Sequence, residues 1–197
     1  MENISAVLLG AGRSKRMGTN KLSLPWGRRT IFDHCLNTLL RSKVKEVIVV
    51  LNDQMREKGG RLKCHKVKVV VNPGYKKGMS SSIKRGISAL NPRSDGILIA
   101  LGDQPFLKTR TINVLIDAFL KRKGGIIVPS FHGLKGHPVI FHRRYEKELS
   151  KLRGDVGGKT VVERHLKNVR LIPVKSEGVI KDIDTWEDYR KELRMKS

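Results

Sequence analysis

The chain has 197 residues, which is enough for one domain with a substantial core. Its 41 Lys and Arg residues against 18 Asp and Glu residues give a formal net charge of +23, which indicates attraction to polyanions. No apolar run is long enough to span a membrane, and two cysteines without clustered histidines predict neither a disulfide framework nor a zinc site, so we expect one soluble, cytoplasmic domain over residues 1–197.

The first predicted strand, Ile4 to Leu9, leads into a loop of small and basic residues that resembles an anion-binding loop. Small residues let a backbone approach a polyphosphate closely, and basic side chains supply compensating charge. The spacing excludes a dinucleotide fingerprint, because Lys15 stands where a third small residue is needed, and Gly18-Thr19-Asn20-Lys21 does not match a P-loop. The alternative is an ordinary strand-to-helix turn. The residues expected to contact a nucleotide here are Leu9, Gly10, Ala11, Gly12, Arg13, Ser14, Gly18 and Lys21.

Alternating helical and strand patterns follow this loop. Apolar residues recur at helical spacing from Ile31 to Leu40, Val44 to Leu51 is a nearly continuous β-branched run, and Val67 to Val71 makes a third strand. A β-α-β rhythm of this kind predicts a parallel sheet with helices on its faces.

The loop after the third strand leads into a helix whose apolar stripe is expected to contain Met79, Ile83, Ile87 and Leu90. One of three consecutive serines is predicted to cap this helix. Because three serines exceed what a cap needs, their hydroxyls and amides also suit a base or ribose. The residues assigned to the nucleotide in this stretch are Asn72, Gly78, Ser80, Ser81 and Ser82.

Asp103 directly follows another buried strand, Ile97 to Leu101. A carboxylate at the carboxyl end of a central strand is well placed to bind Mg²⁺ and, through it, a triphosphate, with Gly102 beside the nucleotide. The alternative is that Asp103 caps the helix that begins near Thr109.

A hairpin-like insertion is predicted where Ile126 to Pro129 and Pro138 to Phe141 look like two joined strands, and His137 in their connection is a candidate for substrate contact. Arg153 to Lys159 resembles a polar, flexible turn, for which a plain linker is the alternative.

A last strand is expected over Val179 to Thr185, where Asp182 and Asp184 alternate and would point to the same face. Asp184 would join Asp103 in a metal site, unless it or Thr185 caps the final helix instead.

Five segments together resemble the MobA-like nucleotidyltransferases and, within them, the molybdenum cofactor cytidylyltransferase branch. The resemblance covers nearly the whole chain in order. The matching segments are Leu9 to Gly18 with Lys21-Leu22, Asn72-Pro73 with Gly78 to Ser82, Gly102 to Pro105, Gly136 to Pro138, and Asp182 to Thr185 with Glu187-Asp188-Tyr189.

This resemblance implies an α/β protein with a three-layer Rossmann-like nucleotidyltransferase fold, a mostly parallel central sheet and a small hairpin insertion. It implies transfer of CMP from CTP to the phosphate of a molybdopterin acceptor, with release of pyrophosphate. Arg16, Lys21 and Asp103 would be catalytic, and Asp103 and Asp184 would hold Mg²⁺. His137, Asp155 and Asp182 would contact the acceptor, and the product's partner would be a molybdoenzyme or its maturation factor.

Two departures from the family pattern carry expectations of their own. Gly10 replaces the first alanine of the family's L-A-A-G signature, so the base preference stays open, and Trp186 replaces a proline, which should alter the start of the last helix.

Two enzymatic alternatives are a guanylyltransferase of the same pathway and a sugar- or polyol-phosphate nucleotidyltransferase. A basic protein that binds nucleic acid or chaperones a cofactor is the non-enzymatic alternative, although the basic residues lack interleaved aromatics.

Overall fold

The computed structural model describes residues 3–12, 14, 16–55, 57, 62, 64–121 and 125–195. Its strands are β1 Ile4–Gly10, β2 Pro25–Trp26, β3 Arg29–Thr30, β4 Glu46–Leu51, β5 Val67–Val71, β6 Gly96–Leu101, β7 Ile126–Phe131, β8 Leu134–Lys135, β9 Val139–His142 and β10 Val169–Pro173. Among these residues, seven strands form a central sheet in the order β10-β7-β9-β6-β1-β4-β5, β8 pairs with β7, and β2 pairs with β3.

The central sheet is mostly parallel, which confirms the prediction. The pairs β1–β4, β1–β6, β4–β5 and β7–β10 are parallel, whereas β9 runs antiparallel to both β6 and β7. The carboxyl ends of β1, β4, β5 and β6 therefore meet at one edge of the sheet, where ligands of open α/β sheets bind.

Helices cover both faces of this sheet. The helices are α1 Ile31–Leu40, α2 Met79–Ile87, α3 Thr109–Leu120, α4 Glu146–Leu149, α5 Lys159–Arg164 and α6 Trp186–Arg194. One core cluster joins α1, α3 and α6 to Ala6 and Leu8 of β1, and a second joins α2, α4 and α5 to Val7. Successive side chains of a strand point to opposite faces, so β1 contributes to both cores and the expected three-layer architecture is confirmed.

The predicted hairpin insertion is partly different in the structure. β7 pairs with β8 through a two-residue turn in which His132 and Gly133 both have positive φ, the conformation that matches the twist of a hairpin. β9, which was expected to be the second strand of the insertion, instead lies inside the central sheet between β6 and β7.

The strand expected over Val179 to Thr185 is wrong. Glu177–Val179 is a 3₁₀ turn, and no regular element follows before α6. This segment is attached by isolated bonds rather than a ladder, since His137 N donates to Val179 O at 2.7 Å and Ile183 N donates to Asp103 O at 3.1 Å. It crosses the end of the sheet and carries Asp184 to the carboxyl end of β6.

Among the described residues, no helix combines the length and the apolar character needed to cross a membrane.

Candidate active site

A cleft of about 610 Å³ lies at the carboxyl edge of the parallel strands. Volumes of this size are typical of small-molecule sites. Several predicted residues meet there, because the loops after β1, β5 and β6 all end at this edge. The residues that line the cleft are Leu9, Ala11, Gly12, Ser14, Arg16, Lys21, Tyr75, Lys76, Lys77, Gly78, Met79, Ser82, Leu101, Asp103, Asp155 and Asp184.

The loop after β1 is held in shape by its own polar groups and by α6. Ser14 has a φ of 45°, its Oγ accepts from Lys21 N at 3.2 Å, and its carbonyl accepts from Met17 N at 3.1 Å. Trp186 Nε1 donates to Met17 O at 3.0 Å, which ties the last helix to this loop. Arg13, which was predicted to contact the nucleotide, lies outside the described residues, as does Lys15.

A charged cluster connects this loop to the ends of two other segments. Lys21 Nζ lies 2.7 Å from Asp103 Oδ2 and 2.7 Å from Asp184 Oδ1, and Arg16 Nη1 lies 2.5 Å from Asp184 Oδ2. The Lys21 side chain is only 11% exposed, whereas that of Arg16 is 71% exposed. Lys21 therefore bridges the two carboxylates from inside the cleft, and Arg16 reaches Asp184 from its rim.

The electrostatic balance at Lys21 favours its charged form. Burial lowers the pKa of Lys21, but the charges and hydrogen bonds of Asp103 and Asp184 outweigh that effect and raise the pKa above its usual 10.5. Lys21 thus stays a cation at any physiological pH.

Asp103 follows β6 directly, and the structure excludes a capping role for it, since α3 begins at Thr109 with Lys108 as its N-cap residue. Its Oδ2 contacts Lys21, while its Oδ1 is buried and has no hydrogen-bond partner. A buried carboxylate oxygen without a partner loses its hydration without compensation, so this atom is suited to a ligand that brings positive charge.

The cleft fits a divalent cation that completes its shell from a substrate. Among the described residues, no group of three or more His, Cys, Asp or Glu side chains converges as a metal cage. Asp103 and Asp184 are two carboxylates held by one ammonium group, and Mg²⁺ is typically bound by one or two carboxylates together with water and substrate phosphates. Asp103 and Asp184 would hold the ion, and it would compete with Lys21 for their oxygens.

Thr185, and not Asp184, caps α6. The Thr185 side chain accepts from Asp188 N, and Asp188 Oδ2 accepts from Thr185 N at 2.9 Å, which together make a capping box. The helix begins at Trp186 directly after this capping box. The replacement of the family's proline by tryptophan therefore leaves a regular, capped start of the helix. Asp184 keeps its carboxylate for Lys21 and Arg16.

The opposite wall of the cleft is built on hydrogen bonds. Asn72 is buried; its Nδ2 donates to Ser81 Oγ at 2.9 Å and Ser82 Oγ at 3.0 Å, and its Oδ1 accepts from Gly74 N at 3.0 Å. Ser80 Oγ donates to Gly154 O at 2.6 Å. The hydroxyls that were assigned to a base or ribose are therefore bound within the protein, and of the three serines only Ser82 lines the cleft.

The predicted serine cap of α2 is wrong. Gly78 occupies the N-cap position with a φ of 99° and supplies no side-chain bond. The first amide of the helix, Met79 N, instead donates to Asp155 Oδ1 at 3.0 Å. Met79 was also expected in the apolar stripe, but it is partly exposed and lines the cleft.

Some residues assigned to the nucleotide do not line the cleft: Gly10, Gly18, Asn72, Ser80, Ser81 and Gly102. A Cβ at Gly10 would lie 2.7 Å from Phe32 Cε2, and one at Gly102 would lie 2.9 Å from Leu9 O. These two glycines let the ends of β1 and β6 pack closely against the core, which is a packing reason for a small residue.

The three residues assigned to the acceptor are in different surroundings. Asp155 lines the cleft and belongs to a segment that packs on α2, so Arg153 to Lys159 is not a simple linker. His137 and Asp182 do not line the cleft, but both are close enough to Asp103 for its charge to affect their pKa values. Burial lowers the pKa of His137, and desolvation followed by repulsion from Asp184 and Asp103 raises the pKa of Asp182.

Comparison with known proteins identifies the family. The profile of the MobA-like NTP transferase domain matches residues 6–169. The chain belongs to this MobA-like NTP transferase family. It is 30% identical to nicotine blue oxidoreductase of Paenarthrobacter nicotinovorans, over 95% of each chain. It is 28% identical to the molybdenum cofactor cytidylyltransferase of Escherichia coli K12, over 71% of this chain and 70% of the other.

A solved structure resembles this MobA-like protein over almost its whole length. Rv0371c of Mycobacterium tuberculosis H37Rv, in complex with manganese, superimposes with a TM-score of 0.83 at 28% identity, covering 98% of each chain. The MobA-like chain is thus a nucleotidyltransferase in family and in fold, which confirms the enzymatic interpretation of its sequence.

Several cleft residues of this MobA-like transferase were not predicted: Tyr75, Lys76, Lys77, Met79 and Leu101. Lys76 and Lys77 are exposed, and neither forms an ion pair with a carboxylate among the described residues. The sequence could have indicated both lysines, because they lie between Asn72 and Gly78, which were assigned to the nucleotide. Only Asn72, Gly78 and the serines of this stretch were given a role.

Proposed function

We propose that this MobA-like transferase is a molybdenum cofactor cytidylyltransferase that uses Mg²⁺, CTP and a molybdopterin acceptor. The observation that carries the proposal is the bridge of Lys21 between Asp103 and Asp184, beside a buried carboxylate oxygen without a partner. The choice of CTP and of the acceptor is supported by the likeness to the Escherichia coli enzyme of that name.

In the proposed reaction, a phosphate oxygen of the acceptor forms a bond to the α-phosphorus of CTP. The bond from that phosphorus to the bridging oxygen of the β-phosphate breaks, and pyrophosphate leaves with the electron pair. No protein nucleophile is required, because positioning and charge stabilisation account for most of the catalysis of phosphoryl-type transfer.

The charges of the cleft suit this chemistry. Four cationic side chains line it, Arg16, Lys21, Lys76 and Lys77, against three carboxylates. Lys21 and Arg16 would stabilise the negative charge on the α-phosphate oxygens. Bound Mg²⁺, held by Asp103 and Asp184, would neutralise charge on the triphosphate.

The proposal is tested by thermal unfolding with Mg²⁺ and each of CTP, GTP, UTP and ATP, followed by an assay of pyrophosphate release with molybdopterin. A nucleotide that binds only the native state raises its melting temperature. We expect CTP to give the largest shift. Asp103→Asn should reduce pyrophosphate release at least about 100-fold, because it removes a charge that acts at the reacting phosphates.

Asp117→Asn is the matched control: Asp117, on α3, forms an exposed ion pair with Lys43 outside the cleft, so the substitution should leave the rate unchanged. A larger shift with GTP would indicate a guanylyltransferase. Binding of CTP without turnover of molybdopterin would direct the search to sugar or polyol phosphates. The absence of both a shift and pyrophosphate release with every nucleotide would contradict the proposal.

A further inference from the structure

The segment around Asp155 packs on the start of α2, at the wall of the cleft formed by Tyr75 to Met79. The first four amides of a helix have no partner within the helix. Gly78, at the N-cap, has no side chain to satisfy them. Asp155 Oδ1 accepts from Met79 N at 3.0 Å, and Gly154 O accepts from Ser80 N at 3.4 Å and from Ser80 Oγ at 2.6 Å. Two of these amides are therefore bound by a segment about 75 residues further along the chain.

The two segments also meet backbone against backbone. A Cβ at Gly78 would lie 2.6 Å from Asp155 Cα and 2.6 Å from Gly154 O, and a Cβ at Gly157 would lie 2.8 Å from Met79 Sδ. Gly78 thus permits the close backbone approach that the capping bonds require, while Gly157 leaves room for the Met79 side chain. The carboxylate of Asp155 is favoured at the positive end of the α2 dipole.

We propose that Asp155 is a positioning residue that caps α2 from the neighbouring segment and so holds the Tyr75 to Met79 wall in the conformation that binds the nucleotide. It acts through Met79 N rather than on the acceptor, which differs from the role that the family resemblance implies for it. This inference rests on the proposed nucleotidyltransferase function for its effect on ligand binding, but the capping contact itself is independent of that function.

Three variants distinguish a role of Asp155 in capping α2 from a role in binding the acceptor. Asp155→Ala removes the acceptor atom of the cap, Asp155→Asn keeps an oxygen that accepts, and Glu163→Ala removes an exposed carboxylate of neighbouring α5 as a control. We expect the dissociation constant of Mg²⁺·CTP, measured by calorimetry, to rise about tenfold in Asp155→Ala. The reason is that the wall would spend less time in the conformation that binds the nucleotide. It should stay within about twofold in the other two variants, and kcat at saturating CTP should be retained in all three.

Hydrogen exchange of the Met79 and Ser80 amides gives a readout that needs no ligand. Their exchange should accelerate in Asp155→Ala and stay at the wild-type rate in Asp155→Asn. If Asp155→Ala does not fold, Ser80→Ala removes the hydroxyl bond to Gly154 O, keeps the backbone bond, and should act in the same direction with a smaller effect.

The inference is overturned if wild-type protein binds Mg²⁺·CTP and Asp155→Ala binds it equally well, or if both Asp155 variants raise only the KM for the acceptor. Failure of the wild-type protein to bind any nucleotide would instead contradict the proposed function, while the exchange rates would still decide whether Asp155 caps α2.

Discussion

The two walls of the cleft are stabilised by different forces. Between the loop after β1 and the end of β6, Lys21 and Arg16 hold two carboxylates by charge. On the other side, Asn72 and the segment at Asp155 hold their neighbours by hydrogen bonds to the backbone and to serine hydroxyls. Charges that attract one another also attract phosphates and metal ions, whereas a satisfied hydrogen-bond network only shapes the surface. We infer that the first wall carries the chemistry and the second wall carries nucleotide affinity.

The variant Lys21→Met is the strongest test of the different roles assigned to the two walls. Without the ammonium group, Asp103 loses its ion-pair partner in a partly buried site and Asp184 keeps only Arg16, so we expect the free energy of unfolding to fall by about 1–3 kcal/mol. The rate of pyrophosphate release should fall at least about 100-fold. Urea denaturation and the release assay measure the two effects.

Lys43→Met is the control for Lys21→Met, because Lys43 pairs with Asp117 on an exposed surface. Such pairs contribute about 0–1 kcal/mol, so its stability and rate should remain close to wild type. Equal effects of the two variants would show that the bridge in the cleft has no special role.

The second wall is tested by Asn72→Ala. Its amide binds Ser81, Ser82 and Gly74 from a buried position, and its loss removes all three hydrogen bonds at a cost of about 1–3 kcal/mol, although Ser81 Oγ keeps its bonds to Gly74 O and Gly78 O. We expect the dissociation constant of Mg²⁺·CTP to rise while kcat at saturation changes little. The exposed Asn91, whose side chain accepts from Arg93 N in a turn, provides the control Asn91→Ala. A fall in kcat as large as that of Lys21→Met would contradict the division of the two walls.

A smaller effect concerns pH. Burial lowers the pKa of His137, with a partial offset from Asp103, so the folded protein takes up this proton at lower pH than the unfolded chain, whose histidine pKa is about 6.5. The stabilisation by neutral His137 is therefore complete above about pH 6.5 and is lost as the pH falls toward the folded pKa.

His137→Asn should consequently lose less stability than wild type between about pH 7.5 and about pH 5.5, as followed by urea denaturation. The exposed His65 supplies the control His65→Asn, which should keep the wild-type dependence. An unchanged pH dependence in His137→Asn would contradict a lowered pKa of His137 in the folded protein.

The sequence predicted the charged wall better than the hydrogen-bonded one. Lys21, Asp103 and Asp184 belong to loops that follow strands or precede a helix, and the rule that parallel strands end at one edge brings such loops together. That Lys21 bridges both carboxylates could not be predicted, because the bridge depends on the path of residues 180–184, which were expected to form a strand.

The second wall depends on contacts that local patterns do not encode. Three serines before an apolar stripe favour a serine cap, but Gly78 takes the N-cap position and Asp155 supplies the oxygen from a distant segment. The replacement of proline by Trp186 was likewise expected to affect only the start of the last helix, whereas its indole donates to Met17 O in the loop after β1. Both contacts require the tertiary structure.

Gly10 has a consequence for protein engineering that follows from its neighbour. Its Cα lies so close to the fully buried Phe32 ring that an added methyl group would meet Cε2 at 2.7 Å. Restoring the alanine of the family signature in this chain alone would therefore strain the core before it changed the choice of base. Positions 10 and 32 should be exchanged as a pair, and a library that varies the loop without Phe32 will sample mostly destabilised proteins.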